Sequence, residues 1–389
     1  IKNGVSGITF KHNLSHRDSC YEIAISDIGI CWHKNGELST KVREYENYNL
    51  PIINSKQIFD IFYKKSLYVF ASFEKRSGYF QRTLHILSEK KDLLGCYNPF
   101  NLPIKENKFD DNNNNIILHF TRNKFLHLIK ILNIKIIILP SNFKNFHSLY
   151  DNLLQKLKYK PKFIYEIRGL WCLTRHAFYE YNEKKRLPFS SRIKNEINSE
   201  RSAIKKADSL IFINNTVRDY LLNDLKFHEI NTKPYILLYN SFSTDNLNII
   251  KRNPNKIYKI GYFGTISSYE GIELLVEVCN LINKHNSIQL IICGNKNTEI
   301  NLNKYDFIEY HKFIPYEQYI QKIQEIDLLC IPRLNYKVCE IIPALKPLAA
   351  MAYKIPILVP NFPCYNEMSQ EGFYFFESEN SNSLKQTIE

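Results

Sequence analysis

From residue 66 onward the chain alternates between short continuous apolar runs and stretches whose apolar residues recur every three or four positions. These are the patterns of buried strands and amphipathic helices. Leu67–Phe73, Ile134–Leu139, Phe163–Ile167, Ser209–Ile213 and Ile236–Tyr239 read as strands. Between them, helices are expected over Thr83–Lys90, Phe125–Leu132, Leu149–Leu157, Ile193–Ala207 and Val217–Leu225. Such alternation implies βαβ units and a parallel sheet. The polar stretch 241–256, which contains Asn253-Pro254-Asn255, reads as a domain boundary. Beyond it the grammar returns, with strands at Lys259–Phe263, Ile288–Cys293, Phe307–Phe313, Leu328–Ile331 and Ile355–Val359. Helices are expected there over Gly271–Asn283, Tyr316–Glu325 and Pro347–Tyr353. This is the rhythm of a doubly wound α/β domain, whose ligands sit outside the carboxyl ends of its strands. Residues 1–65 are less periodic. A loose alternation over Tyr21–Trp32, before Lys34-Asn35-Gly36, suggests strands around a turn. The expected organisation is therefore an extension over 1–65 that completes the first domain, a domain over 66–248 and a second over 249–389.

Composition changes this picture in three ways. No apolar run approaches the roughly 20 residues of a membrane-crossing helix, and Lys2 and Lys11 interrupt any secretory-type apolar stretch. The nine cysteines form no CxxC pair and show no metal-ligand spacing, so reduced thiols in a cytoplasmic setting are expected. The formal charge of +13 asks for an anionic partner. Its basic residues are dispersed and fit no nucleic-acid-binding module, which leaves phosphorylated ligands and, as a possible partner, an anionic membrane surface. Asp110-Asp111 lies in a polar run and reads as a solvated loop.

Candidate chemistry concentrates in the segment from Ile331 to Leu358. A strand delivers Arg333 into a loop, Glu340 follows seven residues later, and Lys346-Pro347 opens a helix of small residues. Proline suits a first helical turn, and free N–H groups there favour a pyrophosphate. Two cations beside it would neutralise a bound diphosphate and the charge that grows as it leaves.

This segment, Lys346-Pro347-Leu348-Ala349-Ala350-Met351-Ala352, resembles the donor-binding motif of glycosyltransferase family 4. Lys259 to Thr265, Tyr269-Glu270-Gly271, Leu290 to Gly294 and Tyr365-Asn366-Glu367 are similar to further motifs of that family. In the first half, Ser77-Gly78-Tyr79, Arg82-Thr83, Tyr165 to Trp171, Glu200, Ala207-Asp208 and Asn240 resemble a bacterial surface-glycan branch. The resemblance implies a GT-B fold, two Rossmann-like domains facing a cleft, and retaining transfer of a sugar from a nucleotide-sugar donor without a metal or other cofactor. It implies catalytic roles for Arg333, Glu340 and Lys346, and donor contacts at Gly264, Thr265, Gly294, Pro347 and Leu348. Arg82, Arg168 and His176 are its acceptor-side candidates, the acceptor being a glycan or a lipid-linked glycan. The implied setting is cytoplasmic, peripheral to the inner face of a membrane, in lipopolysaccharide or capsule synthesis.

Three departures stand out. Ala349 occupies the place of a glutamate expected to hold the donor ribose, an interaction worth roughly 2–3 kcal/mol. Thr265 and Glu270 replace a common Arg and Lys, and Ser77-Gly78 is all that stands for a glycine-rich loop. The alternatives are a weak or inactive relative serving as a binding module, another enzyme on the same scaffold, and a nucleic-acid-binding protein.

Overall fold

The computed structural model describes residues 29–31, 52–54, 66–70, 82, 86–87, 93–97, 117–119, 129, 133–141, 159–242, 249, 257–296, 299–312, 314–369 and 371–389. The chain divides into two compact units. The first comprises Ile1–Ile167, Ser202–Ile211 and Asn231–Tyr235; the second comprises Arg168–Arg201, Phe212–Ile230 and Ile236–Glu389. The expected helix Leu149–Leu157, the Ser77-Gly78 turn, Asp110-Asp111 and most of 241–256 lie outside the described residues.

In chain order the first strands are β1 (Gly29–Cys31), β2 (Ile52–Asn54), β3 (Ser66–Phe70), β4 (Leu93–Tyr97) and β5 (Ile117–His119). They are followed by β6 (Ile136–Pro140), β7 (Lys162–Ile167), β8 (Ser209–Phe212) and β9 (Tyr235–Leu237). Seven of these form one sheet in the order β5-β4-β3-β6-β7-β8-β9. Its pairs β3–β4, β3–β6, β4–β5 and β6–β7 are parallel. β1 pairs in parallel with β2; the turn expected at residues 34–36 lies outside the described residues.

The second unit carries α1 (Trp171–Glu183), most of α2 (Ser191–Lys206) and α3 (Asn215–Asp219), which runs into a π-turn at Tyr220–Asp224. Its sheet is built from β10 (Tyr258–Phe263), β11 (Ile288–Cys293), β12 (Ile308–His311), β13 (Leu328–Cys330), β14 (Ile357–Pro360) and β15 (Phe373–Phe376). The helices of this region are α4 (Ile272–Ile282), α5 (Tyr316–Glu325), α6 (Lys337–Ile341), α7 (Lys346–Ala352), α8 (Pro363–Met368) and α9 (Ser381–Ile388). The strand order is β12-β11-β10-β13-β14-β15, with every neighbouring pair parallel. Covered on both faces, parallel strands read as continuous apolar runs. Accordingly β14 is buried at all four positions, and β10 and β11 at their last four. Ile272, Leu275, Val278 and Cys279 of α4 pack on Ile260, Leu290 and Leu358 in one cluster.

Strand order reverses between β10 and β13. That switch point leaves a crevice at the carboxyl ends of the two strands, where open α/β sheets bind ligands. Cys172, Cys279, Cys293, Cys330, Cys339 and Cys364 are buried free thiols. Among the described residues, no helix is long and apolar enough to cross a membrane.

Candidate functional site

Three glycines shape the switch point. Gly264 ends β10 at φ 145°, and its N–H donates to the Cys293 carbonyl at 2.8 Å. Gly294 ends β11 at φ 156°, and a Cβ there would stand 1.9 Å from the Gly264 carbonyl oxygen. A Cβ at Gly264 would meet the Lys346 side chain at Cε, 2.2 Å away. The lysine stem therefore lies directly across the backbone at the end of β10. At φ 70°, Gly271 opens α4, and a Cβ there would strike the Pro332 carbonyl oxygen at 1.9 Å. This close approach folds the turn Ser268–Glu270 onto the loop that carries Arg333.

The result is a buried charge cluster. Glu270 is 4% exposed. Its Oε1 accepts from Arg333 Nε at 3.2 Å and from Nη2 at 2.9 Å. The Lys346 ammonium donates to Oε2 and also to the Tyr262 hydroxyl, the latter at 2.9 Å. The Tyr262 hydroxyl lies within donating distance of the Thr265 carbonyl, at 2.8 Å, and of Glu270 Oε2, at 3.0 Å. Arg333 Nη1 donates to the Ile342 carbonyl at 2.9 Å, and the guanidinium faces the Tyr269 ring at 5.9 Å. Of the two cations, Arg333 keeps 13% of its side chain exposed and Lys346 15%.

The electrostatics follow from this packing. Burial pushes the Glu270 carboxyl up, but Arg333 and Lys346 outweigh it and bring the value down to about 2. Burial works against the charge on Arg333 also, yet Glu270 prevails and holds the guanidinium well above its ordinary range. For Lys346 the balance tips the other way, since burial and the like charge of Arg333 together exceed the pull of Glu270, and its ammonium titrates lower than usual. Two cations and one carboxylate leave the cluster at a formal charge of +1. The sequence marks Glu270 as part of a family-like motif and as a departure from a common Lys; here it orients both cations. The one local signal was its position immediately before a glycine that needs positive φ.

The predicted donor-side residues share the second unit with this core. Gly264 and Gly294 bound it, and the Thr265 carbonyl accepts from Tyr262. Pro347 stands in the first turn of α7 and is buried, as is Ala349, while Leu348 is half-buried. The helix has only seven residues, so its dipole is weak and the side-chain cations carry most of the positive field. Glu340 pairs with Lys337, three residues before it on α6. In the first unit Arg82 Nε donates to Glu166 Oε1 at 2.8 Å, and the Tyr68 hydroxyl donates to the same fully buried carboxylate. Arg168 and His176 are each 7% exposed. His176 lies 3.6 Å from Glu180, edge-on to the Phe189 ring. Among the described residues, no three His, Cys, Asp or Glu side chains converge as a metal site requires.

A second node joins Glu367 to partners that the sequence does not pair with it. Asn214 caps α3 by accepting from the Val217 N–H at 3.0 Å, and its amide reaches the Ile341 carbonyl at 2.9 Å. The Glu367 carboxylate accepts from the backbone N–H groups of Asn215 and Thr216 at 2.6 and 2.9 Å. The Thr216 hydroxyl adds a bond at 2.7 Å and Tyr239 another at 2.8 Å. Although burial raises the Glu367 carboxyl, these donors bring it below its usual value.

Residues 244–389 match the family model described as Glycosyl transferases group 1. No curated protein matches the sequence significantly. Among solved structures, the chain is similar to Anabaena Alr3699/HepE in complex with UDP and glucose. The identity is 12%, covering 84% of this chain and 89% of that one, with a TM-score of 0.58. It is also similar to the apo form of the lipopolysaccharide outer core galactosyltransferase WaaB, at 13% identity, 83% and 88% coverage and a TM-score of 0.53. An E. coli trehalose-6-phosphate structure bound with UDP-2-fluoro glucose aligns at 9% identity, over 83% and 90% of the chains, with a TM-score of 0.56. At such identities the likeness speaks for the fold alone. That fold is GT-B, the class expected from the sequence.

Proposed function

We propose that this chain is a retaining glycosyltransferase of family 4 type that moves a hexosyl group from a nucleotide-sugar donor to a glycan or lipid-linked acceptor. The observation that carries the reading is the meeting of Arg333 and Lys346 at the β10–β13 switch point, within a segment that matches a glycosyltransferase family model. A diphosphate bound there gains charge as the sugar departs. Lys346 and Arg333 neutralise that charge, and the glycine-built turns at Gly264, Thr265 and Gly294 admit the nucleotide close to the backbone. Pro347 and Leu348 complete the donor side, and Glu340 is the third catalytic residue. No side chain serves as nucleophile: the leaving diphosphate itself takes the acceptor proton, and no metal is needed. Arg82, Arg168 and His176 act on the acceptor side. The biological setting is synthesis of a surface polysaccharide such as lipopolysaccharide or capsule, on the cytoplasmic side of an anionic membrane.

Donor binding tests this directly. A thermal-shift panel of UDP-, GDP-, ADP-, CMP- and dTDP-sugars should yield one stabilising nucleotide. Lys346→Ala and Arg333→Ala should each weaken it by about 10- to 100-fold, the worth of one charge-assisted bond. Unchanged affinity in both variants removes the donor-site assignment. One observation favours the alternative of a weak or inactive relative: Ala349, 2% exposed, offers no carboxylate to the ribose. Donor binding by the native chain without turnover or donor hydrolysis would favour that alternative.

A further inference from the structure

A second concavity lies wholly within the second unit, formed by α1, α4 and the segment 299–305. It has a volume of about 900 Å³, within the range of ligand pockets and large enough for a short oligosaccharide. Three half-buried aromatic rings, Phe178, Tyr181 and Tyr305, line it. Lys304 already rests over the Tyr305 ring at 4.7 Å.

The polar lining is unusual for this protein. Glu273, Glu277 and Glu299 are exposed and, among the described residues, their carboxylates form no hydrogen bond or ion pair, although the chain has a formal charge of +13. The side-chain amides of Asn182, Asn280 and Asn301 are likewise unengaged. Among the described lining residues, only Lys304 opposes the three carboxylates. Aromatic faces interleaved with unused donors and acceptors suit a polyol, whose C–H faces pack on rings while its hydroxyls replace water on amides and carboxylates. The negative balance excludes anionic sugars.

The concavity also adjoins the charge cluster through a single turn. Ser268 lines it, and the Tyr269 ring packs on Phe178 with centroids 5.4 Å apart. The next residue, Glu270, holds Arg333 and Lys346.

We propose that this groove is a binding subsite for the non-reacting part of an uncharged oligosaccharide. The inference rests on the reading of the chain as a glycosyltransferase and names the class of glycan it engages. It is tested on the full chain by saturation-transfer NMR with neutral di- to tetrasaccharides, set against uronic-acid oligosaccharides of equal length. Tyr181→Ala and Glu277→Lys are compared with the native protein, and UDP binding is followed in parallel by thermal shift. Neutral glycans should bind and uronates should not. Each variant should lose about tenfold or more in neutral-glycan affinity while its UDP shift is unchanged. Equal binding of both glycan classes, full binding by both variants, or no neutral-glycan binding at millimolar concentration overturns the proposal. A native chain that binds neutral glycans in this groove but gives no shift with any nucleotide refutes the donor-site reading and leaves the groove standing.

Discussion

Replacing Glu270 by Gln keeps the shape of the side chain and removes its charge. Two independent routes give the size of the effect. The carboxyl moves from 4.5 to about 2 on folding, and at 1.36 kcal/mol per unit this is about 3 kcal/mol of stability at neutral pH. Removing one partner of a buried ion pair costs about 3–5 kcal/mol. The lower end applies, because Arg333 and Lys346 retain 13% and 15% exposure and the amide oxygen can still accept one bond. A loss of about 3 kcal/mol lowers Tm by roughly 6–12 °C in a unit of 150–250 residues. The sign with pH follows from the direction of the shift. A carboxyl held below its unfolded value stabilises fully above about 4.5, and that contribution is lost as pH falls through about 2. The gap between native protein and E270Q should thus be widest near neutrality and close on acidification. Urea denaturation at pH 7 and at successively lower pH measures it. A variant as stable as the native chain at pH 7, or a gap that persists or widens as pH falls toward 3, refutes the account of Glu270 as the ionised centre of the cluster.

The same substitution raises the cluster from +1 to +2, so UDP should stabilise E270Q more than the native protein; a smaller thermal shift would count against diphosphate binding at these cations. Gly264→Ala and Gly294→Ala should separate stability from binding. At Gly264 the new methyl meets a movable lysine stem, so donor affinity should fall with a modest folding cost of about 1–3 kcal/mol. At Gly294 it meets a carbonyl 1.9 Å away, so the main chain must shift, and the loss of stability should be the larger of the two in urea melts. Glu367→Ala should cost about 1–3 kcal/mol by leaving the first N–H groups of α3 without their acceptor. Amide exchange should report it as faster exchange at Asn215 and Thr216; unaltered protection there would contradict the capping role.

Local pattern already determined much of this protein. Strands β10, β11, β13 and β14 were legible because residues buried on both faces of a parallel sheet leave unbroken apolar runs. Tyr316–Glu325 was readable in full from its period; Arg333 and Gly264 stood out after strands, and Lys346 at a helix start before proline. Helix α1 was less distinct, because its length buries His176 and Glu180 among the apolar residues and blurs the stripe. The short helix α6, and with it the pairing of Glu340 to Lys337, was not legible in the periodicity. Tertiary structure alone decided the strand order that creates a switch point, the parallel pairing of β1 with β2, and the partners of Glu270, Asn214 and Glu367. Glu270 meets Arg333 across 63 residues of sequence and Lys346 across 76. Periodicity reports only which face of an element is dry. Which ionised groups must share one dry place depends on how far apart in the chain the sheet brings its strands together.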